Sequence, residues 1–208
     1  MKDHVFFRIT IFFIGIISLL VAGCGSSTPS RFYTLTSLKS AEPMQQPAGE
    51  KIKTIVRIGP VDIPDYLDKP QIVTRTGRNE LSIAEFDRWG GSLRNDISRV
   101  LIENLSSTLA AGHVTVVPWK QYAPGTYRVP LTITRLDVTP GGNLYLKAQF
   151  SIIDKDGKTV TTIRESSISK PVNGTGYNVV VTAISDALAD LSQEIAASVK
   201  SAIAKRDN

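Results

Sequence analysis

The stretch Asn143-Leu144-Tyr145-Leu146-Lys147-Ala148-Gln149-Phe150-Ser151-Ile152 places an apolar residue at every second position: Leu144, Leu146, Ala148, Phe150 and Ile152. Side chains two residues apart share one face of a strand. The stretch therefore reads as a β-strand with one face on a core and one face toward water. Downstream, Asp154-Lys155-Asp156-Gly157-Lys158 supplies a turn, with glycine available for positive φ, and a polar strand follows through Ser169. Upstream, Val129, Leu131 and Ile133 alternate, then the phase slips by one to Leu136 and Val138, which predicts a β-bulge near Thr134-Arg135.

Two helical patterns flank these strands. From Trp89 onward Leu93, Ile97, Val100, Leu101, Leu105 and Leu109 fall on one helical face. Asp87 or Ser92 is the expected cap, Gly112 sits past the end, and Gly90-Gly91 weaken the first turn. The last element is a long helix with Val180, Ile184, Leu188, Leu191, Ile195, Val199 and Ile203 on one stripe and a polar opposite face, the pattern of a helix packed on a sheet from one side. Shorter strands are expected at Phe32–Leu35, at Thr54–Ile58 with Pro60 and Pro64 limiting its continuation, and at Val114–Val117. Ile72–Thr74 and Leu81–Ile83 form an expected hairpin around Gly77-Arg78-Asn79, and Lys39–Glu50 reads as a loop. There is no repeat and no internal boundary. The expected class is α/β (α+β): a single domain with a mixed, largely antiparallel sheet packed by two long helices.

The beginning of the chain carries a different signal. Lys2 and Arg8 precede an apolar run from Ile9 that ends at Ala22-Gly23 before a cysteine. A positive segment, a short apolar segment and small residues, in that order, mark a cleaved export leader. The thirteen residues from Ile9 to Val21 fall short of the roughly 20 needed to span a bilayer as a helix. Val21-Ala22-Gly23-Cys24 resembles a lipobox, so cleavage is expected between Gly23 and Cys24, with Cys24 carrying an S-diacylglyceryl group and an N-acyl chain. One fatty chain holds a protein only marginally, at about 0.8 kcal/mol per buried methylene, whereas several chains on one residue anchor it stably. Residues 1–23 are then the leader, 24–30 a lipidated tether and 31–208 the folded domain. The tether's six residues after the cysteine reach about 20 Å when stretched. Gly25, not Asp, follows the cysteine, which by resemblance to Gram-negative sorting points to the outer membrane, periplasmic side.

Net charge is +5, and removal of Lys2, Arg8 and Asp3 with the leader brings it to +4. The excess is spread along the chain, compatible with an anionic membrane surface nearby. Export argues against nucleic acid as a partner. Cys24 is the only cysteine, so stability has to come from the core without an internal disulfide.

Patterns for catalysis are sparse. Ser167-Ile168-Ser169-Lys170 matches S-x-x-K, but that chemistry needs the serine at a helix start with lysine one turn on; on a strand the two point to opposite faces. Asp154-x-Asp156-Gly157 lacks the third oxygen ligand and distal glutamate of a calcium loop, and a hairpin turn explains it. Gly174-Thr175-Gly176 lacks the rest of a dinucleotide fingerprint, and His113 has no carboxylate or cysteine arranged around it. No catalytic residue, metal or cofactor is assigned. One further cluster, Gly59 to Pro70, holds three prolines, Pro60, Pro64 and Pro70, with Asp65-Tyr66-Leu67 between the last two. It reads either as a rigid corner whose Tyr66 and Leu67 plug the core, or as a preformed recognition surface, since aromatic residues on rigid loops order cheaply on binding.

Phe32-Tyr33-Thr34-Leu35 after the anchor, Val61-Asp62-Ile63-Pro64-Asp65-Tyr66-Leu67, Trp89 opening a helix with Leu93 and Asn104-Leu105, and the terminal Ala187–Ala196 segment together resemble the PqiC/YmbA-type ABC transport auxiliary lipoproteins. The resemblance covers essentially the whole chain after the leader; Gly90-Gly91 departs from it. It implies a non-enzymatic periplasmic domain beside the outer membrane, working with an inner-membrane-anchored MCE-domain protein and an ABC permease and ATPase to move lipids between membranes. Such a role bears on membrane integrity. Homo-oligomerisation around a hollow partner fits ring symmetry by analogy. Pro64, Asp65, Tyr66, Leu67 and Trp89 are the candidate partner-binding residues. The alternative is a lipid carrier with an apolar pocket between the last helix and the sheet.

Overall fold

The computed structural model describes residues 28–38, 54–121 and 125–207. The leader and lipobox, and the loop expected from Lys39 to Glu50, lie outside the described residues. Two units are separable, Met1–Ser30 and Arg31–Asn208; of the first, residues 28–30 are exposed and without regular structure.

The second unit contains, in chain order, β1 (Arg31–Tyr33), β2 (Thr54–Asp62), β3 (Gln71–Arg75), β4 (Leu81–Trp89), helix α1 (Leu93–Leu109), β5 (Val114–Pro118), β6 (Tyr127–Val138), β7 (Asn143–Asp154), β8 (Thr159–Pro171) and helix α2 (Tyr177–Asp207). The alternating stretch is the middle of β7, with β6 and β8 antiparallel on either side. Its apolar positions, Leu144, Leu146, Ala148, Phe150 and Ile152, are all closed to solvent. The register against β6 shifts between Ile133 and Arg135, where the slip in alternation places it. The extra residue lets Leu136 and Val138 rejoin the core face after Ile133.

The strands divide into two sheets. The larger has order β5-β2-β6-β7-β8, with β5 and β6 both parallel to β2. The smaller has order β1-β4-β3, with β1 parallel and β3 antiparallel to β4. Helix α1 packs against β2 and β5, α2 against β7 and β8, and the helices pack on each other. Val180, Ile184, Leu188, Leu191, Ile195 and Val199 of α2 face this core, as do Ile97, Val100, Leu101 and Leu105 of α1. This is the mixed α/β class expected.

Three local readings need correction. Strand β2 runs beyond Pro60 to Asp62. Its register against β6 shifts between Ile58 and Val61, so Pro60 sits at an irregularity where a missing N–H costs no ladder bond. Gly59 there has φ +112°, and a Cβ on it would lie 2.7 Å from Trp119 Cδ1; only glycine lets the indole rest on this backbone. Second, Trp89 is the last residue of β4 and opens no helix. It stands four residues before Leu93, in phase with the helical face, but its N–H donates to Pro70 O at 2.8 Å. Helix α1 begins at Leu93 behind Ser92, whose side chain makes no capping bond, and Asp87 belongs to the strand. Third, the left-handed residue past α1 is His113, with φ 53°, and Gly112 ends the 3-10 turn before it.

Candidate functional site

Residues 31–38, at the start of the second unit, are fastened to the rest of it along their length. Arg31 and Tyr33 of β1 converge on Asp87 of β4, the register partner of Arg31. Arg31 Nε and Nη2 donate to the two carboxylate oxygens at 2.8 and 2.9 Å, and Tyr33 OH donates to Oδ1 at 2.7 Å. Asp87 is buried. Burial alone would push its pKa up, but the bonds from Arg31 and Tyr33 outweigh that and hold it below the usual carboxylate range. The Tyr33 hydroxyl is pushed up by burial and by the same carboxylate.

After β1 the chain has no sheet partner, and side chains from both helices satisfy its backbone. Leu35 N–H donates to Asp96 Oδ2 at 2.6 Å, and Leu38 N–H to Asn104 Oδ1 at 2.9 Å, both acceptors on α1. Thr36 N–H donates to Ser185 Oγ on α2 at 3.1 Å. Arg99 Nη2 donates to Leu35 O at 2.6 Å while also pairing with Asp96 and Glu103. Leu35 itself is 1% exposed. Residues 31–38 thus form a strap across one strand and two helices. The sequence reading gave Asp87 as a cap and Asn104 as a motif residue, and missed Asp96 and Ser185. A polar residue at a core-facing position is the signal such partners leave: Asn104 and Ser185 are buried among the apolar faces of their helices.

The proline-rich corner holds the sequence-predicted partner residues. Asp65–Leu67 is one 3-10 turn, closed by Leu67 N–H to Pro64 O at 2.9 Å. Asp65 is exposed, Pro64 and Tyr66 are half-buried, and Leu67 and Trp89 are buried, at 4% and 6%. A partner at this corner would therefore meet Asp65 and the edges of Pro64 and Tyr66, with Leu67 and Trp89 beneath. Trp89 is tied to the corner through Pro70, and Arg94 brackets it from α1, bonding Asp62 at 3.3 Å and Asp68 at 2.9 Å. Tyr66 OH reaches Asp137 Oδ1 at 3.3 Å. Asp137, buried on β6, also accepts from Arg75 Nη2 at 2.9 Å and Arg135 Nε at 2.6 Å. Burial opposes its charge, but the two guanidinium groups keep its pKa low. Burial, then the Asp137 charge, raise the pKa of Tyr66.

The other motifs are occupied by structural work. Lys170 Nζ pairs with Asp190 of α2 at 2.6 Å, while Ser167 is exposed opposite the exposed Lys147; serine and lysine do not meet. Asp154 Oδ1 accepts from the N–H groups of Asp156 and Lys158, at 2.9 and 2.8 Å, and Gly157 takes φ +79°, so this carboxylate holds its hairpin. Gly174, with φ +136°, precedes α2. Among the described residues no group of three or more His, Cys, Asp or Glu side chains could hold a metal ion. No described helix is long and apolar enough to cross a membrane.

Comparison with known proteins gives this fold a family. Residues 33–196 match the family described as ABC-type transport auxiliary lipoprotein component. Among solved structures, an uncharacterised protein is similar at 19% identity, over 83% of this chain and 99% of its own, with a TM-score of 0.68. A protein from Xanthomonas campestris is similar at 14% identity, over 86% of this chain and 99% of its own, with a TM-score of 0.66. At those identities the likeness concerns the fold. No curated protein matches the chain. The family match extends from β1 into α2, and the chain belongs to the ABC-type transport auxiliary lipoproteins.

Proposed function

We propose that this auxiliary lipoprotein is a non-enzymatic docking subunit, fixed to the outer membrane through acylated Cys24 and facing the periplasm, for an MCE-domain and ABC-type system that carries lipid between membranes. The observation that carries this reading is the strap. A domain that ties a transport assembly to a membrane has to transmit load from its anchor into its core. Residues 31–38 follow the tether directly and are bonded to β4, α1 and α2 through Asp87, Asp96, Asn104 and Ser185. Four attachments in eight residues are more than a passive leader requires.

The corner at Pro64, Asp65 and Tyr66, braced by Asp137 and Arg94, is the proposed contact for the MCE-domain partner. A stiff surface loses little entropy on binding. Several copies in a ring would present several corners to one hollow partner. The docking reading is supported by the packing of α2 on β7 and β8, where Leu144, Leu146, Ile168, Leu188, Leu191 and Ile195 belong to one buried core.

Co-purification tests this proposal. Crosslinking in intact cells followed by isolation of this protein should recover an MCE-domain protein, and Asp65→Arg together with Tyr66→Ala should reduce the yield at unchanged protein level. Recovery of bound lipid in stoichiometric amount with no protein partner would overturn the docking role in favour of a carrier.

A further inference from the structure

Of the exposed large apolar side chains, Ile163 and Phe32 are the most open, at 72% and 67%. Ile163 lies on the polar edge strand β8. Phe32 is different, because its neighbours on both sides, Arg31 and Tyr33, are locked to Asp87. Alternate residues of a strand point to opposite faces, so Phe32 projects from the other face of β1, beside its register partner Arg88. Arg88 Nε is buried without a hydrogen-bond partner among the described residues. An aromatic ring held rigidly in water is costly unless something covers it.

The length of chain before it decides what does. Phe32 lies eight positions after Cys24, which limits the distance between them to about 28 Å even when fully stretched, and any slack brings them closer. We propose that Phe32 is a second membrane contact: its ring enters the headgroup–acyl boundary of the bilayer that holds Cys24, and the half-buried Arg88 beside it adds positive charge on that side. This rests on the acylation of Cys24. Phe beside a cation is the composition of interfacial contacts, which settle about 5–10 Å into that boundary, and basic side chains complement anionic headgroups. The tether supplies a high effective concentration, so one ring suffices. With anchor and ring both seated, the domain has two points on the membrane, and its orientation is restricted in a way that one flexible tether does not achieve.

The test uses the full-length protein, matured and lipidated in cells, in vesicles of phosphatidylethanolamine and phosphatidylglycerol with or without bromine on the acyl chains. In a Trp119→Phe background, which leaves only the buried Trp89, Phe32→Trp supplies a reporter and Ile163→Trp a control. Flotation with the vesicles is read first. In floating protein, brominated chains should quench the Phe32→Trp emission to about half or less, because ring depth and quencher depth coincide, and should leave the Ile163→Trp emission unchanged. Floating protein with equal quenching in the two variants overturns the membrane contact and leaves the anchor standing. Phe32→Trp emission that shifts with protein-to-lipid ratio but resists bromine means that a second copy covers the ring, and also overturns it. Protein that does not float overturns the anchor and the contact together.

Discussion

Asp87 and Asp137 hold two places where the chain has to stay joined. Asp87 serves the strap through Arg31 and Tyr33, and Asp137 serves the corner through Arg75, Arg135 and Tyr66. Removing one partner of a buried pair strands the other, at a cost of about 3–5 kcal/mol. Arg31, Arg75 and Arg135 all keep contact with water, so Asp137→Ala and Asp87→Ala are both expected below that range, with Asp87→Ala the smaller loss, by urea unfolding. Both carboxylates titrate lower folded than unfolded. The folded state then binds fewer protons near their ordinary pKa of about 3.9, and their contribution is complete above that value and lost as pH falls through the lower folded values. The melting temperature should hold from neutral pH to about 5 and drop below about 4, with a shallower drop in Asp137→Asn. Gly59→Ala places a methyl against Trp119 at a positive φ, and a loss of about 1–3 kcal/mol is expected in the same assay. None of these pairings was readable in advance. Asp87 and Arg31 stand 56 residues apart, and Asp137 and Tyr66 stand 71 apart; a charge at a core-facing position announces that it has a partner but not which one.

Elements were read best where the period was local. Strand β7 and helix α2 show their buried faces in sequence because alternation and the helical repeat are set by neighbouring residues, and the bulge at Ile133–Arg135 is visible because it breaks that alternation. Leu146, 0% exposed at the centre of β7, should lose about 2–5 kcal/mol on truncation to alanine. Trp89 was misread for the converse reason. Its spacing fits α1, while its bond to Pro70 and its pairing with Tyr33 are non-local facts. The division into two sheets is hidden likewise, since parallel pairing of β2 with β5 and β6 depends on contacts far along the chain. The strap also belongs to this scale. Beyond β1 it has no ladder and depends on side chains of α1 and α2 to satisfy its N–H groups. Asp96→Ala should raise hydrogen-exchange rates at the Leu35 amide well beyond those in the centre of β7, because opening there is local and not global.

The described residues combine an α/β domain with a bonded strap at its start. The resemblance read from Phe32–Leu35, Val61–Leu67 and Ala187–Ala196 agrees with the family match over residues 33–196. The candidate partner-binding residues differ in exposure: Leu67 and Trp89 are buried, Pro64 and Tyr66 are half-buried, and Asp65 is exposed. The docking role requires that force or position at a bilayer be conveyed through Cys24 into the strap. The most direct measurement is the mass of the N-terminal peptide of the mature protein extracted from membranes. The expected result is a peptide beginning at Cys24 and carrying a diacylglyceryl group and an amide-linked acyl chain. An N-terminus elsewhere, or an unmodified thiol at Cys24 in protein recovered from the aqueous fraction, would contradict the account.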